Sequence, residues 1–192
     1  MAREKDYSKI DKIFEATQRL VYEKGFAGIK LTDVAKLSGI AIGTIYLYFK
    51  DKDDLVNQLY QYIQRKKKQD VNIELDLNRP APELIRLLWM TYYQSVMNDL
   101  KSAEFFYQYQ QSNALVKLMN ENDNFVFTNL RRVLAKGVVE GSLKKMDEDL
   151  LYTILIGPIH ELAKQALRNN FKATVEEKEE LFDLLLKSIL NQ

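Results

Sequence analysis

Three side chains in the N-terminal part of the sequence carry hydroxyl groups that suit phosphate binding: Thr32, Tyr46 and Tyr48. They lie in the segment LTDVAKLSGIAIGTIYLYFKDKDDL, residues 31–55. Threonine and tyrosine hydroxyls donate hydrogen bonds to phosphate oxygens, and such contacts fix a protein on a nucleic-acid backbone. The residue types in this segment therefore indicate contacts with a nucleic acid.

Two short helices must position these hydroxyls. Val34 and Leu37 give the first helix an apolar face, Thr32 is predicted to cap its N-terminus, and Gly39 is predicted to close it. Two such helices around a tight glycine turn are typical of a helix-turn-helix. The first helix then offers backbone N–H groups and the Thr32 hydroxyl to the phosphates.

The second of these helices has an inner and an outer face. Ile45 and Phe49 are one helical turn apart and are predicted to be buried, which leaves Tyr46 and Tyr48 on other faces. Gly43 removes the side chain that would hold the start of the helix away from DNA. Alternatively, the aromatic residues are core residues of a small helical domain, and for Phe49 we favour that interpretation.

The composition argues against an enzyme. The 192 residues include no cysteine, and the only histidine is His160. The sequence has no G-x-S-x-G, Walker or H-E-x-x-H motif, so neither a nucleophile with a base nor a metal site is assembled. We expect no enzymatic activity, no cofactor and no bound metal.

Charge and hydropathy indicate where a phosphate would bind and in which compartment the protein is found. The net charge is +1, but residues 1–52 carry a surplus of three positive charges while the remainder carries a deficit of two. The positive balance thus lies where phosphate would be met. The charged N-terminus and the absence of a membrane-length apolar run predict a cytoplasmic protein without a membrane partner.

The N-terminal segment resembles the DNA-binding domain of the TetR family of transcriptional regulators. The resemblance extends from about residue 10 to residue 59 and rests on the GF pair at 25–26 and on the motifs LTDVAKLSGI, GTIYLYF and KDKDDL. It implies a recognition helix at about 42–48 that enters the major groove, one from each subunit of a dimer.

The resemblance also implies roles for individual residues. Thr32, Tyr46, Tyr48 and Lys52 would bind phosphates. Thr44 would lie near phosphate or base edges, and Gly43 would permit the close approach.

Ala41 and Ile42 depart from the commoner family pattern, in which a serine is followed by lysine or proline before the glycine. Apolar side chains at these positions can contact the methyl groups of thymine. We therefore expect the protein to prefer DNA sites that contain A·T base pairs there.

Helical periodicity continues to the C-terminus and predicts an all-α chain. We expect an N-terminal helix-turn-helix domain at 1–52, a linking helix at 51–69 and a larger helical domain at 70–192. Further helices are predicted at about 83–98, 102–119, 123–140, 148–169 and 175–190, the last with a capping box from Thr174 to Glu177. The basic run 65–68 is expected to be a solvated helix end.

For the C-terminal helices the resemblance implies a ligand pocket and a dimer interface. Aromatic and polar residues are the candidates for an effector site: Trp89, Tyr92, Tyr93, Phe106, Tyr109, Phe127 and His160. Most aromatic residues at helical spacing are ordinary core, and His160 alone is more typical of a hydrogen-bonded packing residue.

The last two helices carry wide apolar faces, and four leucines are the candidates for the dimer interface: Leu155, Leu162, Leu181 and Leu185. Two such helices from each subunit would form a four-helix interface with two-fold symmetry.

The function that this sequence favours is a ligand-responsive repressor that binds a palindromic operator as a homodimer. A small lipophilic or aromatic effector would release it from double-stranded DNA. The alternative is an activator, or a DNA-binding protein that has no small-molecule effector.

Overall fold

A computed structural model describes residues 7–71, 73–111 and 125–191, and the side chains of 110, 111 and 125–127 lie outside the description. Within these ranges the chain forms nine α-helices. They are α1 (Tyr7–Gly28), α2 (Leu31–Ser38), α3 (Ile42–Tyr48), α4 (Lys52–Asp70), α5 (Ala81–Asn98), α6 (Leu100–Gln111), α7 (Phe125–Val139), α8 (Glu148–Asn169) and α9 (Val175–Ile189).

The predicted all-α fold class is confirmed. Helices α5, α8 and α9 begin and end within two residues of the bounds expected from periodicity. The expected helices 102–119 and 123–140 correspond to α6 and α7, while residues 112–124 lie outside the described part of the chain. None of the described helices is long and apolar enough to cross a membrane.

Local signals in the sequence account for several helix ends. Gly39 has φ 70° and ψ 16°, the left-handed conformation that glycine adopts without strain, and it ends α2. At the start of α4, the Asp51 carboxylate accepts a hydrogen bond from the Asp54 backbone N–H at 2.8 Å. The predicted capping box of α9 is present, with Thr174 and Glu177 each satisfying the other's backbone N–H.

Gly25 interrupts the first helix near its C-terminal end. Its φ of 67° and ψ of 171° are non-helical, and the helical pattern resumes after it up to Gly28. Gly25 is therefore the site of a kink near the end of α1. A residue with a Cβ atom would be strained at this positive φ.

The chain packs as two compact units. The first contains α1–α3, α4 up to Arg65 and α6 from Lys101; the second contains the rest of α4, then α5 and α7–α9. The division expected from sequence groups α6 with the C-terminal helices. That functional division stays a prediction, whereas the backbone packing groups α6 with α1–α4.

Aromatic rings hold α6 in the first unit. The Phe26 ring, just after the kink in α1, lies 5.2 Å from Phe105 and 5.9 Å from Tyr109 of α6. Tyr60 of α4 stacks on Tyr109 at 4.3 Å, and Tyr109 donates a hydrogen bond to the Asn57 side chain at 2.8 Å. Helix α6 is thus bound to both α1 and α4 by buried contacts.

The second unit is organised around Trp89 of α5. Its indole N–H donates to the Leu155 carbonyl of α8 at 2.7 Å, and its ring lies 5.2 Å from Phe182 of α9. Arg86 forms ion pairs with two carboxylates of α9, those of Glu179 and Asp183. Helix α5 therefore contacts both α8 and α9 through directional bonds as well as apolar packing.

A glycine in α7 permits close packing in this unit. A Cβ atom built on Gly137 would overlap the buried Leu143 side chain and lie 3.0 Å from the Cβ of Ala81. We expect Gly137→Ala to lower the free energy of unfolding by about 1–2 kcal/mol, because overpacking outweighs the better helix propensity of alanine. Urea denaturation at fixed protein concentration measures the change.

Gly157→Ala is the matched control, since Gly157 also lies inside a helix and a Cβ atom there meets nothing within 4 Å. This variant is expected to keep or raise stability by up to about 1 kcal/mol. Equal effects of the two substitutions would contradict the packing argument.

Candidate functional site

The short helix α3 has a buried face and a face open to solvent. Ile45 and Phe49 are 0% and 1% exposed and anchor the helix in the core of the first unit. On the opposite side Tyr46 is 57% exposed and Leu47 is 72% exposed, and Gly43 has open space where a Cβ atom would stand. The open face of α3 thus offers a hydroxyl, an apolar side chain and a bare backbone position.

Leu47 is a surface residue that sequence reasoning missed. It lies two positions from buried Ile45, which is about 200° around an α-helix. That spacing was available in the sequence as a sign that Leu47 points away from the core. A leucine this exposed on α3 suits apolar contact with a thymine methyl group.

The residues at the start of α3 divide between the surface and the core. Ala41 is the exposed N-cap residue, and its carbonyl accepts from the Thr44 N–H at 2.8 Å. Ile42 is partly buried and packs against the core of the first unit. Thr44 is also half-buried. Of the two apolar residues expected to meet thymine methyl groups, Ala41 is therefore the more accessible.

Tyr48 ends α3 and is only half exposed. Its ring packs beside Phe49 at 6.3 Å and against the core of the first unit, so only part of its surface faces solvent. This arrangement restrains the Tyr48 ring more than the ring of Tyr46.

The predicted cap of α2 is wrong by two positions. The N-cap residue is Lys30, with extended backbone angles, and no side chain caps this helix. Thr32 instead lies in the first turn with an exposed side chain, because Leu31 is buried and begins the helix. Thr32 thus stays at the N-terminal end of α2, where helix N–H groups favour an anion.

Lys52 has a structural contact that sequence reasoning did not anticipate. Its ammonium donates to the Phe26 carbonyl at 3.3 Å and so joins the first turn of α4 to the end of α1. An ammonium group has three donors, so this bond leaves two for a phosphate oxygen. The predicted phosphate contact and the structural contact are therefore compatible.

The candidate effector residues fall into two groups. Trp89, Tyr92, Tyr93 and His160 lie in the second unit, where Tyr93 stacks on Trp89 at 5.6 Å and the Tyr92 hydroxyl lies 2.8 Å from His160 Nε2. Phe106 and Tyr109 pack in the first unit against Tyr60. The side chain of Phe127 lies outside the described residues.

The electrostatics of the Tyr92–His160 pair follow from burial. Burial, with the nearby charges of Lys67 and Lys164, lowers the pKa of His160 to about 4. Burial also raises the pKa of the Tyr92 hydroxyl well above its usual range. At neutral pH both groups are uncharged, and one donates a hydrogen bond to the other.

Lys67 contradicts the expectation that residues 65–68 are a solvated helix end. It is 8% exposed, since this position on α4 faces inward while Lys66 and Lys68 face solvent. Burial lowers the pKa of Lys67 to about 8, an effect opposed by the charges of Asp99 and Asp70. Lys67 remains mostly charged at pH 7 inside the second unit.

The structure also corrects the prediction that Leu155 belongs to the dimer interface. Leu155 is 0% exposed within a single chain, and its carbonyl accepts the Trp89 bond, so it belongs to the core. Leu162, Leu181 and Leu185 are half-buried, and Leu184, which was not selected, is 59% exposed. Apolar surface on α9 thus remains uncovered in the single chain.

Comparisons with known proteins agree for both parts of the chain. Residues 13–59 match the family model of bacterial regulatory proteins, tetR family, and residues 80–190 match that of the tetracyclin repressor-like C-terminal domain. The fold is similar to the crystal structure of a TetR family transcription regulator from Marinobacter aquaeolei, with a TM-score of 0.82 and 23% identity over 97% of this chain and 98% of that one.

Two sequence relatives align over most of their length. An uncharacterized HTH-type transcriptional regulator of Haemophilus influenzae is 25% identical over 81% of this chain and 82% of that protein. A protein of Bacillus subtilis named fatty acid metabolism regulator protein is 26% identical over 96% of this chain and 97% of that protein.

Tyr46→Phe tests the open face of α3. The substitution removes one exposed hydroxyl and leaves the ring, so we expect unchanged unfolding and about five- to tenfold weaker operator binding. Fluorescence anisotropy on an operator selected from random DNA measures the affinity. Tyr22→Phe, at an exposed tyrosine on α1, is the control; equal loss in both variants would contradict the role of Tyr46.

His160 is expected to make the protein acid-sensitive. Because its folded-state pKa of about 4 lies below its ordinary value of 6.5, the unfolded chain takes up a proton first as the pH falls. Its contribution to stability is present above pH 6.5 and is lost towards pH 4, by about 2 kcal/mol between pH 7 and pH 5.

Urea unfolding at these two pH values, with His160→Gln as the non-titrating variant, measures this contribution. The groups facing His160 are Tyr92 of α5, Lys67 of α4 and Lys164 of α8 itself. The same loss of stability in the variant would show that other groups cause the acid sensitivity.

Proposed function

The chain belongs to the TetR family of bacterial transcriptional regulators, and we propose that it is a cytoplasmic repressor. It binds a palindromic operator as a homodimer and leaves the operator when a small lipophilic effector binds to the second unit. The family consists of transcriptional regulators rather than enzymes.

The open face of α3 is the observation that best supports the proposal of DNA binding. Tyr46 and Leu47 project from a helix that Ile45 and Phe49 fix to the core, and Gly43 leaves the backbone bare. A helix presented in this way can lie in the major groove with its backbone close to the bases. Two of the groups proposed to bind phosphate, Thr32 and Lys52, lie in the first turns of the helices on either side of α3.

The apolar surface of α9 supports a homodimer. Leu184 is largely exposed, and Leu181 and Leu185 on the same helix are half-buried. Leu162 of α8 is half-buried as well. A second copy that packs against α8 and α9 would bury this surface and would present two recognition helices to the two half-sites of a palindrome.

The kind of effector is supported by the interior of the second unit and by one relative. Trp89, Tyr92 and Tyr93 give α5 a buried aromatic face that suits an apolar ligand. The aligned Bacillus subtilis protein is named for the regulation of fatty acid metabolism. We therefore propose a ligand that has a hydrocarbon chain.

We propose that the effector acts on DNA binding through the chain that connects the two units. Helix α5 ends at Asn98 and α6 begins at Leu100, so the single residue Asp99 connects these helices in sequence. In the first unit, α6 is bound to α1 and α4 through Phe26, Tyr60 and Asn57. A shift of α6 would therefore alter the packing that positions α3.

Thermodynamic linkage gives the test. Anisotropy titration is expected to show sequence-dependent operator binding that weakens steeply as salt is raised. If an effector lowers the affinity of the protein for operator by a given factor, its own affinity must be lower by the same factor for the protein–operator complex than for the free protein. Calorimetry of the effector with and without operator measures this factor; identical affinities would favour the alternative of a DNA-binding protein without an effector.

A further inference from the structure

The open face of α3 has a centre and two sides. At about 100° per residue, Gly43 and Leu47 lie within about 40° of each other and nearly opposite the buried Ile45. Thr44 and Tyr46, the sequence neighbours of Ile45, each lie about 100° from it, one on either side. Leu47 is 72% exposed and Tyr46 is 57% exposed. Leu47 is therefore the most exposed side chain of α3 and lies at the centre of its open face.

The centre of this face, all of it within the described part of the chain, carries no side chain that forms hydrogen bonds. Gly43 has no side chain, and a Cβ atom built there meets nothing within 4 Å. Leu47 is a hydrocarbon, and the hydroxyl groups of Thr44 and Tyr46 belong to residues at the sides. A helix in the major groove turns its centre to the base edges and its sides to the two phosphate strands. Leu47 is therefore the residue of α3 that is best placed to contact a base edge.

The chemistry of leucine selects one of the four bases. In the major groove every base pair presents hydrogen-bonding groups, and thymine also presents its C5 methyl group. A leucine that covers a donor or an acceptor displaces water and returns no hydrogen bond, which lowers affinity. A leucine that covers the methyl group removes apolar surface from water, which raises affinity by about fourfold for one methyl group. Leu47 therefore favours thymine over the other three bases.

The structure moves this contact away from the residues for which the sequence predicted it. Ala41 and Ile42 were expected to meet thymine methyl groups, but Ile42 packs against the core of the first unit. Ala41 precedes α3 as its N-cap residue and has a single side-chain carbon. Leu47 offers a larger apolar surface than Ala41 and, unlike Ile42, is not engaged by the core.

We propose that Leu47 determines operator specificity by contacting the C5 methyl group of one thymine in each half-site. This role of Leu47 rests on the proposed function, in which α3 of each subunit lies in the major groove. The recognised feature is the methyl group of an A·T pair, and the leucine contributes no hydrogen bond. Because the homodimer carries Leu47 twice, a palindromic operator contains this thymine twice.

Replacement of thymine by deoxyuridine tests the proposal, since the two bases differ only in the C5 methyl group. Fluorescence anisotropy of the full 192-residue chain on an operator selected from random DNA measures the affinity. Each thymine of one half-site is replaced in turn, alone and together with its symmetry mate. We expect one position at which deoxyuridine weakens binding by about fourfold in one half-site and by about fifteenfold in both.

Variants of Leu47 connect this loss to the side chain. Leu47→Ala removes the contacting carbons, so the same DNA change should then weaken binding by less than about twofold. Leu47→Met keeps a hydrocarbon chain of similar volume and should keep most of the loss. Because Leu47 is exposed, both variants should unfold in urea as the wild type does.

Leu37→Ala is the matched control. Leu37 is an exposed leucine of the first unit as well, at 40%, but it lies on α2. This variant should respond to deoxyuridine as the wild type does, whatever its own affinity for the operator.

Two results would overturn the role of Leu47: no thymine in the half-site at which deoxyuridine weakens binding, or a loss that Leu47→Ala retains in full. Retention in Leu47→Ala would assign the effect of the methyl group to another residue or to the shape of the DNA. Failure of the proposed function has a different result. A chain for which selection yields no preferred DNA sequence does not bind an operator, whereas a sequence-specific chain that tolerates deoxyuridine at every position refutes only the contact made by Leu47.

Discussion

The burial of Ile45 and Phe49 is the constraint on which the DNA-binding unit depends. Helix α3 has seven residues, fewer than an isolated helix needs to be stable in water. It persists because these two side chains enter a core built from α1, α2, α4 and α6. Any change in that core changes the position of the face that carries Tyr46 and Leu47.

The same core ties α6 to the helices that position α3. Phe26 lies at the junction: its ring contacts two aromatic residues of α6, and its carbonyl accepts the Lys52 ammonium from the start of α4. Gly25, with its positive φ, sets the direction of the chain just before this junction. The GF pair thus has a physical role in joining three helices, distinct from any contact with DNA.

The second unit combines apolar packing with buried polar groups, whose removal from water costs free energy. Trp89 is bonded to the α8 backbone and packs against α9, and Arg86 pairs with two carboxylates of α9, so α5 is firmly held along its first half. Further along, the same helix carries Ser95, whose buried hydroxyl has no hydrogen-bond partner among the described residues, and Lys67 of α4 is also buried in this unit.

Sequence alone determined the features that depend on neighbouring residues. Helical periodicity gave the all-α class and most helix bounds, Gly39 and the Thr174–Glu177 pair marked helix ends, and the motif around Gly43 indicated the DNA-binding segment. Each of these signals acts over one helical turn, so it can be read without knowing the fold.

Only the tertiary structure decided which side of a helix is covered. The basic run around Lys67 predicts a solvated helix end, and the apolar face around Leu155 predicts a dimer interface. The sequence likewise places α6 with the C-terminal helices. Their burial and their partners depend on residues 32–93 positions away in sequence, such as Trp89 for Leu155 and His160 for Lys67. Local propensity holds no information about such pairs, because their energy arises from packing between helices rather than within one.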